Sequence, residues 1–243
     1  MKRAFFITLI ISGIVLAGCT RKHSPAVELS VTAVGTAIVE SSGGKQIGHV
    51  GAELSQPLVL QVNDESGNGV PGASVHLSGP QSVTFAPSSG ITDSSGQFST
   101  NVSLGGVAGR YVLVAATPTK LGKKAEITIE ELALGYQEQL GAQLNDKYCA
   151  RCHNPESSQE RVSNYDNLET KPHPFTEGDT LNKMSDADLA AIISHGGPAL
   201  NKSALMPPYG FTVSKSEIQA LIAYIRMISD PPYHASGIVY AQK

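Results

Sequence analysis

Three residues near the middle of the chain have types and a spacing suited to holding a metal-containing ring. Cys149, Cys152 and His153 stand in the order Cys-Ala-Arg-Cys-His. On a helix, the two thiols would share one face and the imidazole would follow one turn after the first thiol. This spacing is typical of covalent haem attachment, in which two cysteines bond to the porphyrin edge and the histidine ligates the iron.

Two other interpretations of a Cys-x-x-Cys pair stay open, a disulfide and half of a zinc site. A zinc site with four cysteine ligands would need a second such pair, and the chain has three cysteines. The adjacent His153 favours haem over a disulfide. We therefore expect one covalently bound haem c, with its iron, as the cofactor.

The third cysteine, Cys19, follows a segment typical of export signals. Lys and Arg stand at positions 2 and 3, residues 4–15 are almost wholly apolar, and Leu-Ala-Gly precedes Cys19. The apolar run is too short to span a bilayer as a stable helix. The Leu-Ala-Gly-Cys sequence resembles the lipobox of bacterial lipoproteins, which implies that Cys19 carries lipid and anchors the mature protein to a membrane. An ordinary signal peptide with an incidental Cys19 is the alternative.

Length and composition predict two modest domains and exclude nucleic acid as a partner. The chain has 243 residues, with 18 basic and 21 acidic side chains, no Trp and 6% aromatic residues. At roughly 100 to 150 residues per domain, a chain of this length holds two. A nucleic-acid site would need a basic surface or aromatic stacking platforms, and this composition supplies neither.

The first half of the chain, from about residue 28 to residue 130, alternates short apolar strands with turns. Period-two patterns occupy residues 29–34, 58–62, 74–77 and 111–115, and turn-forming residues fill 63–72 and 92–96. Such a pattern is typical of an all-β antiparallel sandwich. Asp64 and Asp93 are expected to form turns, with calcium binding as the alternative, and His49 and His76 are expected to face solvent.

This half resembles bacterial Ig-like domains of the invasin/intimin (Big-1) type. The resemblance rests on Pro-Leu-Val-Leu-Gln-Val-Asn-Asp at 57–64, Gly-Asn-Gly-Val-Pro-Gly at 67–72, Thr-Asp-Ser-Ser-Gly-Gln at 92–97 and Ala-Gly-Arg-Tyr at 108–111. It implies a β-sandwich that serves as a spacer, a docking module or an adhesive module.

After Glu131 the apolar period changes from two residues to about 3.6, which predicts an all-α region. One helix is expected to run from Tyr136 into the Cys149 motif. Capping boxes at Ser185 and Ser214 open two further helices, which end near Gly196 and Asp230.

The chain offers several candidates for the sixth ligand of the haem iron. They are Met184, Met206, Met227, His173, His195 and His234. Met184 is explained by packing at a helix start, and Met227 lies within the last helix. His173 is expected to be exposed, and His195 is expected to interact with the end of its helix. Met206 differs because two prolines follow it in a loop and restrict the backbone there.

Residues 135–230 resemble class I cytochromes c, through the haem motif, the Met-Pro-Pro-Tyr-Gly sequence at 206–210 and the last helix. The resemblance implies that Cys149 and Cys152 attach the haem, that His153 is the proximal ligand and that Met206 is the distal ligand. Such a protein is an electron carrier and not an independent enzyme, although it can serve as the electron-transfer subunit of an oxidoreductase complex. Its partner is a redox protein.

The expected organisation is a multidomain chain, an all-β Ig-like sandwich followed by an all-α class I cytochrome c domain. The bounds are a signal peptide at 1–18, a lipidated linker at 19–27, the sandwich at 28–131, the monohaem domain at 135–231 and a tail at 232–243. The expected location is the periplasmic face of the outer membrane, with the inner membrane or the cell surface as alternatives. Other functions left open are an adhesin or scaffold with an accessory cytochrome, and a haem sensor or peroxidase if Met206 dissociates.

Overall fold

The computed structural model describes residues 33–159 and 161–235. The expected signal peptide, the expected lipidation site Cys19 and the linker at 19–27 lie outside the described residues. Most of the first expected strand and residues 236–243 of the expected tail lie outside them as well.

The described chain begins with nine strands in two sheets. The strands are β1 Ala37–Ser42, β2 Ile47–His49, β3 Leu58–Asn63, β4 Ser74–Ser78, β5 Thr84–Ala86, β6 Ser89–Ile91, β7 Gln97–Ser103, β8 Gly109–Pro118 and β9 Lys124–Leu134. One sheet has the order β1-β3-β7-β5 and the other β2-β9-β8-β4-β6. Neighbouring strands are antiparallel except β2 and β9, which are parallel.

The buried faces of the two sheets form one apolar core. On β3, Leu58, Leu60 and Val62 are fully buried while the intervening residues are not, as the period-two pattern requires. The strands predicted at 58–62, 74–77 and 111–115 are confirmed as β3, β4 and β8. The prediction of an all-β sandwich is confirmed.

The two turns with acidic residues are built by their side chains. The Asp64 carboxylate accepts hydrogen bonds from the backbone N–H groups of Ser66 and Asn68, at 2.8 and 2.9 Å. The Asp93 carboxylate does the same for Ser95 and Gln97. Both residues are therefore turn formers, as predicted. His49 and His76 are exposed, also as predicted.

Five α-helices follow the sandwich in the described residues. They are α1 Tyr136–Leu144, α2 Ala150–His153, α3 Gly178–Leu181, α4 Asp186–His195 and α5 Lys215–Ile228. Both predicted capping boxes are present, Ser185 with Asp188 at the start of α4 and Ser214 with Glu217 at the start of α5. The helix expected to lead into the haem motif is present, with a π-helical turn over Asn145–Cys149 between α1 and α2.

Helices α1 and α5 pack closely because α1 has a glycine where they cross. A Cβ atom at Gly141 would lie 2.6 Å from the Cβ atom of Tyr224 and would also collide with the carbonyl oxygen of Ala220. This close approach fixes α1, and with it the haem motif that follows, against the longest helix of the region. The fold class predicted from the sequence, an all-β region followed by an all-α region, is confirmed.

Candidate haem site

The haem motif lies where α1 gives way to α2. The π-helical turn ends at Cys149, and α2 carries Cys152 and His153. π-Helical turns inside helices are frequent at functional sites because the extra residue re-aims the side chains that follow. Here Cys149, Cys152 and His153 all line the same cavity. The structure therefore brings together the three residues that the sequence selected.

The imidazole of His153 is held by two contacts from one loop. Its Nδ1 atom lies 2.8 Å from the carbonyl oxygen of His173. The ring of Phe175 lies against the imidazole, with centroids 4.6 Å apart. Because only a protonated Nδ1 can donate to a carbonyl, this hydrogen bond leaves the lone pair on Nε2, the tautomer that a metal ligand needs.

Electrostatics also favour a neutral His153. Burial lowers the pKa of His153 below its ordinary value, since the charged form loses its hydration. Burial also disfavours the charged form of the Cys149 thiol, and because that form is the thiolate, its pKa rises to about 12. Both groups are therefore uncharged near neutral pH, which suits a site lined mainly by apolar side chains.

Met206 enters the cavity from a separate segment, between α4 and α5. Its side chain is half-buried and packs against a core cluster that includes Leu189 and Ile193. The Gly197 N–H donates to the Met206 carbonyl at 3.0 Å. A Cβ atom at Gly196, where φ is +80°, would lie 2.7 Å from that carbonyl oxygen, so glycine is required for the close approach.

The segment after Met206 is tied both to α4 and to the haem motif. The Tyr209 N–H donates to the Ile193 carbonyl, and the Gly210 N–H donates to the Ser194 carbonyl, both at 3.0 Å. The Tyr209 hydroxyl donates to the Tyr148 carbonyl, also at 3.0 Å, directly before Cys149. These bonds fix the distance between the Met206 loop and the haem motif.

The cavity has the size and lining that a large flat cofactor needs. Its volume is about 490 Å³, within the range of roughly 300 to 1,000 Å³ typical of cofactor pockets. Apolar side chains from α3, α4 and α5 line it, among them Leu181, Leu189, Ile192, Leu221 and Ile225. Its lining also includes the two thiols, the His153 imidazole and the Met206 thioether, which are groups expected at a covalently bound haem. The residues present therefore fit haem.

The cavity separates the candidates for the sixth ligand. Of the six residues proposed from the sequence, Met184, Met206 and His173 line the cavity, and His195, Met227 and His234 do not. His173 is exposed, as predicted, and its carbonyl is already bonded to His153. Met184 lies directly before the α4 capping box and packs against the cluster that contains Leu189, as its predicted packing role requires.

Three residues of the site were not found from the sequence. The ring of Phe175 lies tilted against that of His153, and the Tyr209 hydroxyl donates to the carbonyl of Tyr148, directly before the haem motif. Arg226 of α5 donates to the carbonyls of Leu181 and Met184, at 2.8 and 2.6 Å, and pairs with Asp186 at 2.9 Å. It therefore holds the turn between α3 and α4 at the cavity wall. The Tyr-Gly after Met206 was noted as a motif, but its hydrogen bonds were not foreseen.

None of the helices described is long and apolar enough to cross a membrane. Within 33–159 and 161–235, no cluster of three or more His, Cys, Asp or Glu side chains could hold a metal ion.

Comparison with protein families identifies the helical region. Residues 137–225 match the family model described as cytochrome C oxidase, cbb3-type, subunit III. The match includes the haem motif and Met206. The helical region is therefore a cytochrome c domain, and this family implies a covalently bound haem with its iron.

Among solved structures, the chain is similar at low identity to proteins of several kinds. The Yersinia pseudotuberculosis adhesin InvE is 16% identical, with a TM-score of 0.32 over 40% of this chain and 32% of that one. The D00-D0 domain of intimin is 11% identical, with a TM-score of 0.31 over 42% and 51%. The C. elegans MSP family member WR4 is 12% identical, with a TM-score of 0.32 over 41% and 99%. The chain thus spans about a third of the InvE structure and about half of the intimin structure. A search of curated proteins found no match.

Proposed function

We propose that this protein is a membrane-anchored carrier of single electrons, with one haem c ligated by His153 and Met206. The observation that carries the proposal is that Cys149, Cys152, His153 and Met206 line the same cavity. The family match over residues 137–225 supports the electron-carrier class. The cofactor would supply a one-electron iron couple, whose potential is raised by Met/His ligation.

The chain's own residues have distinct tasks in this proposal. Cys149 and Cys152 bind the ring edge covalently, and His153 presents Nε2 because His173 holds the proton on Nδ1. Met206 would supply a second ligand to the iron, and no open site for a small ligand would then remain. The apolar walls from α3, α4 and α5 exclude water, and the hydrogen bonds of Tyr209 and Gly197 keep Met206 in place. A rigid site of this kind suits electron transfer, because little must move when the charge changes.

A redox titration of the purified holoprotein, followed by its optical spectrum, tests the ligand pair. We expect the sulfur-to-iron charge-transfer band in the ferric form and a potential in the Met/His range. Met206→Ala should abolish the band and lower the potential. Met184→Leu is the matched control, because Met184 lines the same cavity, and it should leave both unchanged. Loss of the band in Met184→Leu with retention in Met206→Ala would reverse the assignment.

The anchor and the location are a separate part of the proposal. We propose that Cys19 is lipidated and holds the protein at the periplasmic face of a membrane, with the sandwich as a spacer or docking module. Replacing residues 1–19 by a cleavable export signal that has no cysteine should move the protein from the membrane fraction to the soluble periplasmic fraction while the haem spectrum is unchanged. Retention of the variant in the membrane fraction would contradict the anchor.

A further inference from the structure

The sandwich and the haem site are joined through the C-terminal end of α5. Arg110 on β8 donates from its Nη2 atom to the carbonyl of Ser229 at 2.6 Å and to that of Met227 at 3.4 Å. Its Nη1 atom pairs with Glu130 at 2.9 Å. The last carbonyls of a helix lack partners within the helix. A side chain of the sandwich therefore satisfies the end of the helix that lines the haem cavity.

The next residue along the chain holds the loop that carries the contacts to His153. We call residues 171–177 the proximal loop. The Asp230 N–H donates to the Thr176 carbonyl at 2.8 Å, and the Gly178 N–H donates to the Asp230 carbonyl at 2.9 Å. Asn182 adds a hydrogen bond to Pro231 at 2.8 Å. The proximal loop is thus fastened to the segment that Arg110 fixes.

An apolar contact runs parallel to these hydrogen bonds. Leu134 at the end of β9 forms a buried cluster with Tyr224 and Ile228 of α5, and Phe175 of the proximal loop packs against this cluster. The ring of Phe175 also lies against the imidazole of His153, with the ring centroids 4.6 Å apart. Both connections lead from the sandwich to the proximal ligand.

We propose that Arg110 is a positioning residue for His153, so that the sandwich sets the geometry of the haem ligand through Ser229, Asp230 and the proximal loop. This inference rests on the proposed function, because it assumes that His153 ligates a haem. A hydrogen bond from Nδ1 of a ligating histidine makes the imidazole a stronger donor to the metal. If the proximal loop loosens, the bond from His153 to the His173 carbonyl weakens and the ferric state loses stabilisation.

The test uses the full-length holoprotein and three variants. Arg110→Ala should raise the reduction potential, and it should speed solvent exchange of the Gly178 and Asp230 amides and of the His153 Nδ1 proton. These exchange rates should rise about tenfold, which is the effect expected when a hydrogen bond from a charged donor is lost. Arg110→Lys should give intermediate values, because an ammonium group cannot reproduce the fork that spans two carbonyls and a carboxylate. Glu130→Gln removes the ion pair but leaves the bond to Ser229, and it should behave as the wild type.

Several results would overturn the proposal. An Arg110→Ala variant with reduced thermal stability but with an unchanged or lowered potential and unchanged exchange would show Arg110 to be a structural contact alone. Equal effects in Glu130→Gln and Arg110→Ala would assign the role to the surface charge pair. If Arg110→Ala does not fold, Arg110→Lys keeps the proposal testable, since it retains the positive charge but loses the fork that reaches both carbonyls. Faster exchange of the Nδ1 proton supports the proposal, and unchanged exchange contradicts it.

Absence of attached haem in the wild type would instead contradict the proposed function. Amide exchange at Gly178 and Asp230 would still report whether Arg110 fixes the proximal loop.

Discussion

The two regions of the molecule complete their cores in different ways. Seventeen buried apolar residues of the sandwich form one continuous cluster. In the helical region, a cluster of seven buried apolar residues borders the cavity of about 490 Å³, and a smaller cluster joins Tyr224 and Ile228 to Leu134 at the end of β9. The sandwich therefore fills its interior with its own side chains, whereas the helical region leaves space for a cofactor.

This difference assigns separate sources of stability to the two regions. A core packed at protein density gains its free energy from burial of its own side chains. A region built around a cavity of this size forgoes those contacts and relies on the ligand that fills it. The cytochrome c domain should therefore depend on haem for its stability, and the sandwich should not.

The largest expected effect is that of preventing haem attachment. In Cys149→Ala combined with Cys152→Ala, the helical region should lose at least about 4 kcal/mol, the contribution of a ligand at roughly 1,000 times its Kd. Thermal unfolding followed by far-UV circular dichroism should show early loss of the helical signal, with the strand signal retained to higher temperature. Simultaneous loss of both signals would show that the sandwich also depends on the cofactor.

A matched pair of cavity-forming substitutions sharpens the comparison. Leu60 in the sandwich and Leu221 at the haem cavity are both buried, and truncating a buried leucine costs roughly 2 to 5 kcal/mol. Leu60→Ala should show this cost whether or not haem is attached. Leu221→Ala should lower the free energy of unfolding in the holoprotein alone, because the helical region lacks a fully packed core without haem. Urea unfolding of both variants, in the wild-type and double-cysteine backgrounds, measures the difference. If Leu221→Ala costs the same free energy in both backgrounds, the helical region does not depend on haem for its packing.

The sandwich buries the carboxyl group of Glu131 beside its apolar core. Glu131 on β9 is fully buried, its Oε2 atom accepts a hydrogen bond from the Gln46 N–H at 2.6 Å, and its Oε1 atom has no partner among the described residues. Burial raises the pKa of Glu131 from 4.5 to about 7. The folded state thus favours the protonated form, so its contribution to stability is complete below about pH 4.5 and is lost as the pH rises through about 7.

Glu131→Gln should remove this dependence. The variant should match the wild type near pH 4.5 and exceed it by about 3 kcal/mol at pH 8, since each unit of pKa shift corresponds to about 1.4 kcal/mol. Urea unfolding at the two pH values is the measurement, and Glu130→Gln, at the exposed neighbouring position, is the control. An equal difference from the wild type at both pH values would show that Glu131 is hydrated in solution.

The sequence predicted the features whose causes are local. Period-two alternation identified β3, β4 and β8, and the capping boxes at Ser185 and Ser214 identified two helix starts. The haem motif was recognisable because three ligating or attaching groups stand within five residues. Strand β9 was not singled out, although the alternation from Lys124 to Ile129 could have identified it.

The residues that the sequence did not reveal act over long separations. The His173 carbonyl meets His153 across 20 residues, and Arg226 meets Asp186 across 40. Arg110 reaches Ser229 across 119 residues. A backbone carbonyl has no signature in the sequence, and an arginine on a strand is typical of an exposed surface. The packing of α5 gives Arg110 and Arg226 their partners, and no local pattern encodes it.

The smallest expected effect concerns the two ends of α5, the helix that both regions share. Ser214→Ala removes the side chain that accepts the Glu217 N–H, and loss of such a cap costs about 1 kcal/mol. The first helical turn should fray, whereas the bonds from Arg110 at the other end should persist. Chemical unfolding of the holoprotein should show the loss, and the Asp230 amide should exchange as in the wild type. Ser185→Ala on α4 is the control for a cap remote from the sandwich. Faster exchange at Asp230 in Ser214→Ala alone would mean that α5 transmits disorder along its length, and the two regions would then share their stability through this helix.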